Sequence, residues 1–275
     1  MSLIDGKILA EDIYNSIKSN SIKSNRKLGV IQVGDDIASS IYIRHKELAC
    51  KRIGAKFELY KYPLSITTDE LVQVLHQLNN DNTIHGYIIQ FPLPDHINKK
   101  TIVSNINVMK DIDCLTPENI GLLCMGCPRY IPATPLGILK IIEKYNISIR
   151  GKCIVIIGKS DIVGKPLNLL LGNEFGLGGT VICCDKNTID LVKYVQMADV
   201  LIVAAGVGHL ITNKMKLKHD IVIIDIGIRR LENGKIIGDV DLTDLSYSLA
   251  TPVPGGVGPM TVVGLMLNLV GHQFY

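Results

Sequence analysis

Cys153-Ile-Val-Ile-Ile157-Gly158-Lys-Ser-Asp-Ile-Val-Gly164-Lys-Pro166 is an apolar run, a glycine, a short polar loop and a second glycine. An unbroken apolar run of this length suits a parallel strand buried on both faces. Gly158 permits a tight turn. Gly164 permits close packing of strand and helix. The helix that follows, predicted to run through Leu171, would aim its N-terminus at an anion such as a pyrophosphate. The spacing departs from the common dinucleotide fingerprint, because Ser160 stands at the second glycine and the last glycine comes one residue late. A serine hydroxyl can donate to a phosphate in the missing glycine's place.

Downstream the same rhythm continues. Thr180–Cys184 reads as a strand, and Thr188 is placed to cap a helix through Ala198. Val200–Ala204 and Ile221–Ile226 read as two more buried strands. Asp185 follows the second strand, where an acidic residue binds the ribose hydroxyl of NAD. Lys186 beside it, and Lys159 in the loop, favour a 2′-phosphate and hence NADP, with NAD not excluded.

Upstream lies a second α/β alternation. Leu28–Val33, Lys56–Tyr62 and Ile84–Phe91 read as strands, the last halted by Pro92 and Pro94. Between them, Asp35, Asp36 and Ser39 offer caps for a helix over Ala38–Ile53, with Gly54 at its end. Thr67-Thr-Asp-Glu70 has the form of a capping box before a helix through Leu78. The β-α-β-α-β order predicts parallel pairing. Pro132 and Pro135 introduce a connecting helix over Ile131–Tyr145, and Gly258–Val270 predicts a final helix. The pentapeptide Ser16-Ile-Lys-Ser-Asn20 recurs as Ser21–Asn25, too short a repeat for a solenoid.

Tyr42 and Lys46 fall four apart on the first of these helices, so a phenol and an amine share one face. Well over a hundred residues separate this pair from the glycine loop. That order implies a substrate domain first and a cofactor domain second.

Composition narrows the classes. The chain has 275 residues, 47% of them hydrophobic, no Trp and a net charge of +3. Such a charge forces no basic surface for nucleic acid. No basic segment followed by an apolar run marks a secretory signal. The apolar tract Val253–Val270 is broken by Pro254, Gly255, Gly256, Gly258, Pro259 and Gly264, which suits a turn and a buried helix rather than a membrane span. Seven cysteines, an odd number, suit a reducing compartment. Cys124-Met-Gly-Cys127, with Cys114 upstream, has no second close Cys or His pair to complete a metal site, so no metal is expected.

Three further segments complete a pattern: Ile88-Ile-Gln-Phe-Pro-Leu-Pro94, Lys110-Asp-Ile-Asp113 and Thr251-Pro-Val-Pro-Gly-Gly-Val-Gly-Pro-Met-Thr-Val262. With Gly158–Pro166, they closely resemble the bifunctional methylenetetrahydrofolate dehydrogenase/methenyltetrahydrofolate cyclohydrolase family, nearly end to end and in order. The resemblance implies an α/β fold of two lobes. An N-terminal α/β substrate domain (1–120, joined by a returning helix over 257–275) precedes a Rossmann-like dinucleotide-binding domain (121–256). It implies oxidation of methylenetetrahydrofolate by NADP and hydrolysis of the methenyl product to formyltetrahydrofolate, two reactions at one cleft. It also implies a cytoplasmic homodimer in one-carbon metabolism and purine biosynthesis, acting on tetrahydrofolate derivatives, with no nucleic-acid or membrane partner.

Roles carry over by motif position. Lys46 is implied as acid/base of the hydrolytic step, Gln90 as its hydrogen-bond partner, Tyr42 as a stacking or orienting group and Asp113 as the acceptor for the pterin's amino edge. Ile89, Phe91, Pro254, Gly255, Gly256 and Val257 complete the implied substrate set. Gly158, Lys159, Ser160, Val163, Gly164, Pro166, Asp185, Lys186 and Ile228 form the implied cofactor set.

Departures from the family pattern bear on the cofactor rather than the reaction. Cys114 replaces a usual glycine, Lys159 a usual arginine, and Asp185-Lys186 a usual His-Ser pair. Pro132-Ala-Thr-Pro135 stands for Pro-Cys-Thr-Pro, and Asn173–Gly179 is longer than typical. The alternatives are a monofunctional dehydrogenase of the same family, a shikimate-dehydrogenase-like enzyme, and a non-catalytic folate- or nucleotide-binding protein.

Overall fold

The computed structural model describes residues 1–19, 25–172 and 177–272. Residues 20–24 of the repeated pentapeptide and 173–176 of the long loop lie outside them. The chain forms two compact units. One holds Met1–Glu11, Leu123–Cys127 and Thr134–Thr261; the other holds Asp12–Leu122, Pro128–Ala133 and the chain from Val262 on.

Along the chain come β1 (Ser2–Leu3), α1 (Gly6–Ser19), β2 (Lys27–Val33), α2 (Ile37–Ile53), β3 (Lys56–Tyr62), α3 (Thr68–Asn80) and β4 (Gly86–Ile89). Then follow α4 (Lys99–Ser104), α5 (Pro117–Cys124), α6 (Ala133–Lys144), β5 (Cys153–Ile157), α7 (Gly164–Gly172), β6 (Thr180–Cys184) and α8 (Leu191–Met197). The last elements are β7 (Val200–Val203), β8 (Val222–Asp225), β9 (Arg229–Arg230), β10 (Ile236–Ile237), β11 (Leu249–Ala250) and α9 (Val257–Leu269).

The three-stranded unit carries a parallel sheet in the order β3-β2-β4. Its core packs Ile31, Val33, Leu71, Leu75, Leu78, Tyr87 and Ile89. The expected capping box closes α3: Glu70 N donates to Thr67 Oγ1 at 3.2 Å, and Thr67 N donates to Glu70 Oε2 at 2.8 Å. The expected strand over Ile84–Phe91 shrinks to Gly86–Ile89, since pairing with β2 stops at Ile89 and a cis Phe91–Pro92 bond follows.

The six-stranded unit has the order β1-β11-β8-β7-β5-β6, every neighbouring pair parallel. Ile154, Val155, Ile156 and Ile157 on β5 are at most 3% exposed, as a strand covered on both faces requires. From β5 the chain moves to β6 on one side, then to β7 on the other. Ligands of open α/β sheets bind at such a switch point, off the carboxyl ends of the strands.

Thr188 does not cap α8. Its hydroxyl accepts from Asp185 N at 2.9 Å in a tight turn, and Asp190 stands at the N-cap with φ 55° and no side-chain cap bond. Strand β1 gives the first residues to the six-stranded sheet, whereas the sequence reading set all of 1–120 in one domain. Two-residue strands carry no periodicity from which they can be read.

Helix α9 is apolar apart from Thr261 and Asn268, and from Val262 on it belongs to the three-stranded unit, where Val263, Leu265, Met266, Leu267 and Leu269 are buried. A Cβ on Gly264 would stand 2.1 Å from the Ala133 carbonyl oxygen, so glycine allows that approach. Among the described residues no helix is long and apolar enough to cross a membrane.

Candidate active site

Helix α2 carries the first two site residues. Asp36 caps it by accepting from Ser39 N at 2.7 Å, and Gly54 ends it at φ 77° with its N–H on the Cys50 and Lys51 carbonyls. Ile43, Ala49, Cys50 and Ile53 bury one face. That burial sets the rotation of the helix, leaving Tyr42 44% exposed and Lys46 half-buried one turn on. Lys46 Nζ donates to Gln90 Oε1 at 2.7 Å. Gln90 follows β4. Its backbone N–H continues the ladder to Ile31 O at 2.9 Å, and its own amide donates to Phe91 O at 2.8 Å. With its NH2 group committed there, Gln90 turns its oxygen to the amine.

Asp113 comes from a loop built around a different carboxylate. Asp111 is 1% exposed and accepts from Leu115 N, Thr116 N, Thr116 Oγ1 and Asn119 Nδ2 at 2.7–2.9 Å. Four donors on one buried carboxylate hold the turn in which Cys114 takes φ 57°. Asn119 is itself fully buried and accepts from Arg129 Nη1 at 2.6 Å. From α9, Asn268 Nδ2 donates to Ile112 O and Ile131 O, both at 2.7 Å. The last helix thus ties down the residue next to Asp113.

Burial pulls the Lys46 amine below the ordinary lysine range, and the Asp113 carboxylate acts against that shift. Asp113 is pushed above the ordinary carboxylate range by burial; Lys46 opposes the shift and Asp111 adds to it. The three-stranded unit therefore holds an amine with a lowered pKa against a carboxamide oxygen, with a carboxyl group of raised pKa that interacts with that amine.

In the six-stranded unit, Gly158 has φ 116°, and a Cβ there would stand 2.4 Å from Ala204 O. A Cβ on Gly164 would stand 1.9 Å from Gly158 O. Both glycines are thus required by backbone approach at the switch point between β5 and β7. Ser160 Oγ accepts from Gly164 N at 3.5 Å at the start of α7. Val163 is half-buried and Pro166 buried. Lys159 Nζ lies 3.3 Å from Asp185 Oδ2. The Asp185 carboxylate also accepts from Asn187 N at 3.0 Å, the main cause holding its pKa low, while Lys186 is exposed. The residues present fit a dinucleotide: a glycine turn, a helix N-terminus above it, and two ammonium groups near the second strand end.

Other expected site residues are placed differently. Ile89 is 2% exposed and packs in the core, so its side chain serves the fold. Phe91 is half-buried under Lys99 Nζ, 4.9 Å from the ring centroid. Pro254 and Ile228 are exposed, and Val257 is buried. Gly255 takes φ 107° after a cis Val253–Pro254 bond, and its carbonyl accepts from Gly6 N at 3.0 Å. A Cβ on Gly256 would meet Thr251 Cβ at 2.6 Å. Cys124 and Cys127 are exposed, whereas Cys114 is buried and directs its thiol to Tyr130 O at 3.3 Å.

Residues 4–113 match the catalytic domain of the tetrahydrofolate dehydrogenase/cyclohydrolase family, and residues 132–273 match its NAD(P)-binding domain. The chain belongs to that family. It is 43% identical to "Bifunctional protein FolD" of Campylobacter jejuni (strain RM1221), over 98% of this chain and 97% of the relative. A crystal structure of the bifunctional enzyme FolD, a methylenetetrahydrofolate dehydrogenase/cyclohydrolase from Campylobacter jejuni, superposes with a TM-score of 0.94 at 42% identity, over 98% of this chain and 97% of that one. The Trypanosoma brucei enzyme, solved with NADP and an inhibitor, has a TM-score of 0.92 at 29% identity, over 98% and 96%.

Lys46, Gln90 and Asp113 all lie within the three-stranded unit, and the buried Asp111, Asn119 and Asn268 that support the loop carry no role in the sequence reading. A family segment such as Lys110-Asp-Ile-Asp113 offers two acidic residues, and only burial separates the one that holds the loop from the one it presents.

Proposed function

We propose that the chain oxidises methylenetetrahydrofolate to methenyltetrahydrofolate with NADP+ and then hydrolyses the product to formyltetrahydrofolate. The observation that carries this reading is the 2.7 Å contact of Lys46 Nζ with Gln90 Oε1, in a family member whose Asp113 acts on the same amine.

Hydrolysis needs protons moved at water and at the leaving nitrogen. An amine does this near neutral pH when its pKa is drawn toward the operating pH. Burial of Lys46 works in that direction, and the cationic methenyl group beside it would add to the effect. Gln90 holds the amine without adding charge. Asp113 supplies an acceptor for the amino edge of a pterin, and Tyr42 an aromatic face for its rings. The oxidation needs positioning more than a protein base, because the substrate's own nitrogens stabilise the cation that forms. NADP+, when bound, takes up the hydride. Gly158, Ser160 and Gly164 would hold its pyrophosphate, and Lys159 and Lys186 its 2′-phosphate. The lobes then divide as a folate-binding catalytic domain and an NAD(P)-binding domain.

A cytoplasmic homodimer, supplying formyl groups to purine biosynthesis, fits the same reading. Seven free cysteines suit a reducing compartment. Among the described residues strand β6 ends the six-stranded sheet, an edge against which a second copy would pair.

Supplying methylenetetrahydrofolate with NADP+ or NAD+, and following the methenyl absorbance, tests the reading. The absorbance is expected to rise and then decay, with NADP+ preferred. A rise without decay would indicate a monofunctional dehydrogenase, and binding without turnover a silent protein.

Gln90→Glu gives a pH test. The new carboxylate favours the ammonium form of Lys46 and so raises its pKa. The limb of the hydrolysis profile that requires neutral amine should move to higher pH, lowering the rate at neutral pH. A limb that stays in place would remove Lys46 from the role of base.

A further inference from the structure

Two buried carboxylates in the six-stranded unit have no part in the mechanism above. Asp239 is fully buried. One of its oxygens accepts from Ala205 N at 2.7 Å and Gly206 N at 2.8 Å, the other from Val207 N at 2.8 Å and Gly208 N at 2.9 Å. Four consecutive amides after β7 are thus gathered on one side chain. Behind it, Asp225 at the end of β8 is 3% exposed and accepts from Gly227 N at 2.9 Å, Asp239 N at 3.1 Å and Val240 N at 2.8 Å. Five backbone amides just after two adjacent strands, with those of Asp239 and Val240 from the chain beyond β10, therefore point inward to two carboxylates.

This arrangement abuts the glycine turn. Ala204 O is the atom that a Cβ on Gly158 would meet, and Ala204 N donates to Ile157 O at 2.7 Å. The loop after β7 thus forms the second wall of the switch point between β5 and β7. Because Asp239 consumes its N–H groups, that loop offers no free amides there to an anion. It presents Val207, 45% exposed, beside a β8 end that presents Ile228, 46% exposed. Close packing holds the carboxylate in place: a Cβ on Gly227 would lie 2.2 Å from Asp239 Cγ, and one on Gly238 2.0 Å from Asp225 Oδ2.

We propose that Asp239, with Asp225 behind it, is the positioning residue for the dinucleotide, holding the loop Ala204–Gly208 in the shape that receives the nicotinamide-bearing half. The proposal rests on the reading of this unit as the NADP-binding domain. Asp239→Asn puts an amide donor against two N–H groups and forfeits two of the four bonds. Gly227→Ala displaces the same carboxylate without altering its charge.

Calorimetric titration with NADP+ is made first on the wild-type protein; absence of binding there would sink the reading of the unit itself. With wild-type binding in hand, each variant is expected to weaken NADP+ by about tenfold or more. The KM for NADP+ should rise in parallel, while methenyl hydrolysis, which consumes no nucleotide, stays within about twofold. Unchanged NADP+ affinity in both variants would overturn the proposal. So would equal loss of both activities or failure of both variants to fold, since Asp239 would then be a general structural support.

Discussion

Replacing Lys46 with methionine is expected to lower methenyl hydrolysis by about 10²–10⁴-fold, the range a positioned acid/base group contributes. Oxidation with NADP+ should fall by less than about tenfold, because hydride transfer depends on placement rather than on a protein base. Methionine keeps most of the lysine's length and apolar stem, so packing on α2 is preserved. Removing the amine leaves Gln90 Oε1 without the donor it meets at 2.7 Å, but Gln90 keeps its bond to Phe91 O. The measurement is a pair of assays on one preparation, methenyl decay and NADPH formation. Hydrolysis near the wild-type rate would refute the role assigned to Lys46. A matched loss in both assays would point instead to substrate binding.

Gly164→Ala is expected to have the second large effect, in the other lobe. Its Cβ would fall 1.9 Å from Gly158 O, 2.8 Å from Gly158 C and 3.0 Å from Lys159 Cα. These are backbone atoms, with no flexible side chain to yield. Either α7 moves off the sheet or the turn at Gly158 opens. Overpacking of this kind costs about 1–3 kcal/mol or more. The deeper loss falls on cofactor binding, since a helix N-terminus displaced from the glycine turn no longer addresses a phosphate. NADP+ affinity should fall by about 10²-fold or more, with the thermal midpoint lowered. A variant that binds NADP+ like the wild type would show that α7 does not receive the nucleotide.

Much of this fold is legible in the sequence. Cys153–Ile157, Thr180–Cys184 and Lys56–Tyr62 match their strands residue for residue, and α2 begins one residue before its expected start. Local chemistry sets these bounds: Asp36 and Thr67 as caps, Gly54 as a left-handed stop, unbroken apolar runs for buried strands. The short elements escaped. Strands β1, β9, β10 and β11 are two residues each, and α4 has six. Elements this short show less than two turns or pleats of any period. Thr188 misled because a hydroxyl satisfies a turn amide as readily as a helix cap.

At the site, motif position marked Lys46, Gln90 and Asp113, and two of them meet directly. The sequence by itself determined the family, the two α/β alternations and the residue types able to move protons or face a phosphate, because these depend on near neighbours and fixed spacing. Tertiary structure decided which carboxylates work inside the fold. Asp111, Asp225 and Asp239 each stand in unremarkable strings of residues. Only packing removes their water, and only then must every lone pair find a backbone amide or side-chain donor from distant parts of the chain. Asn268 lies 156 positions from Ile112, and no local pattern could have announced that bond.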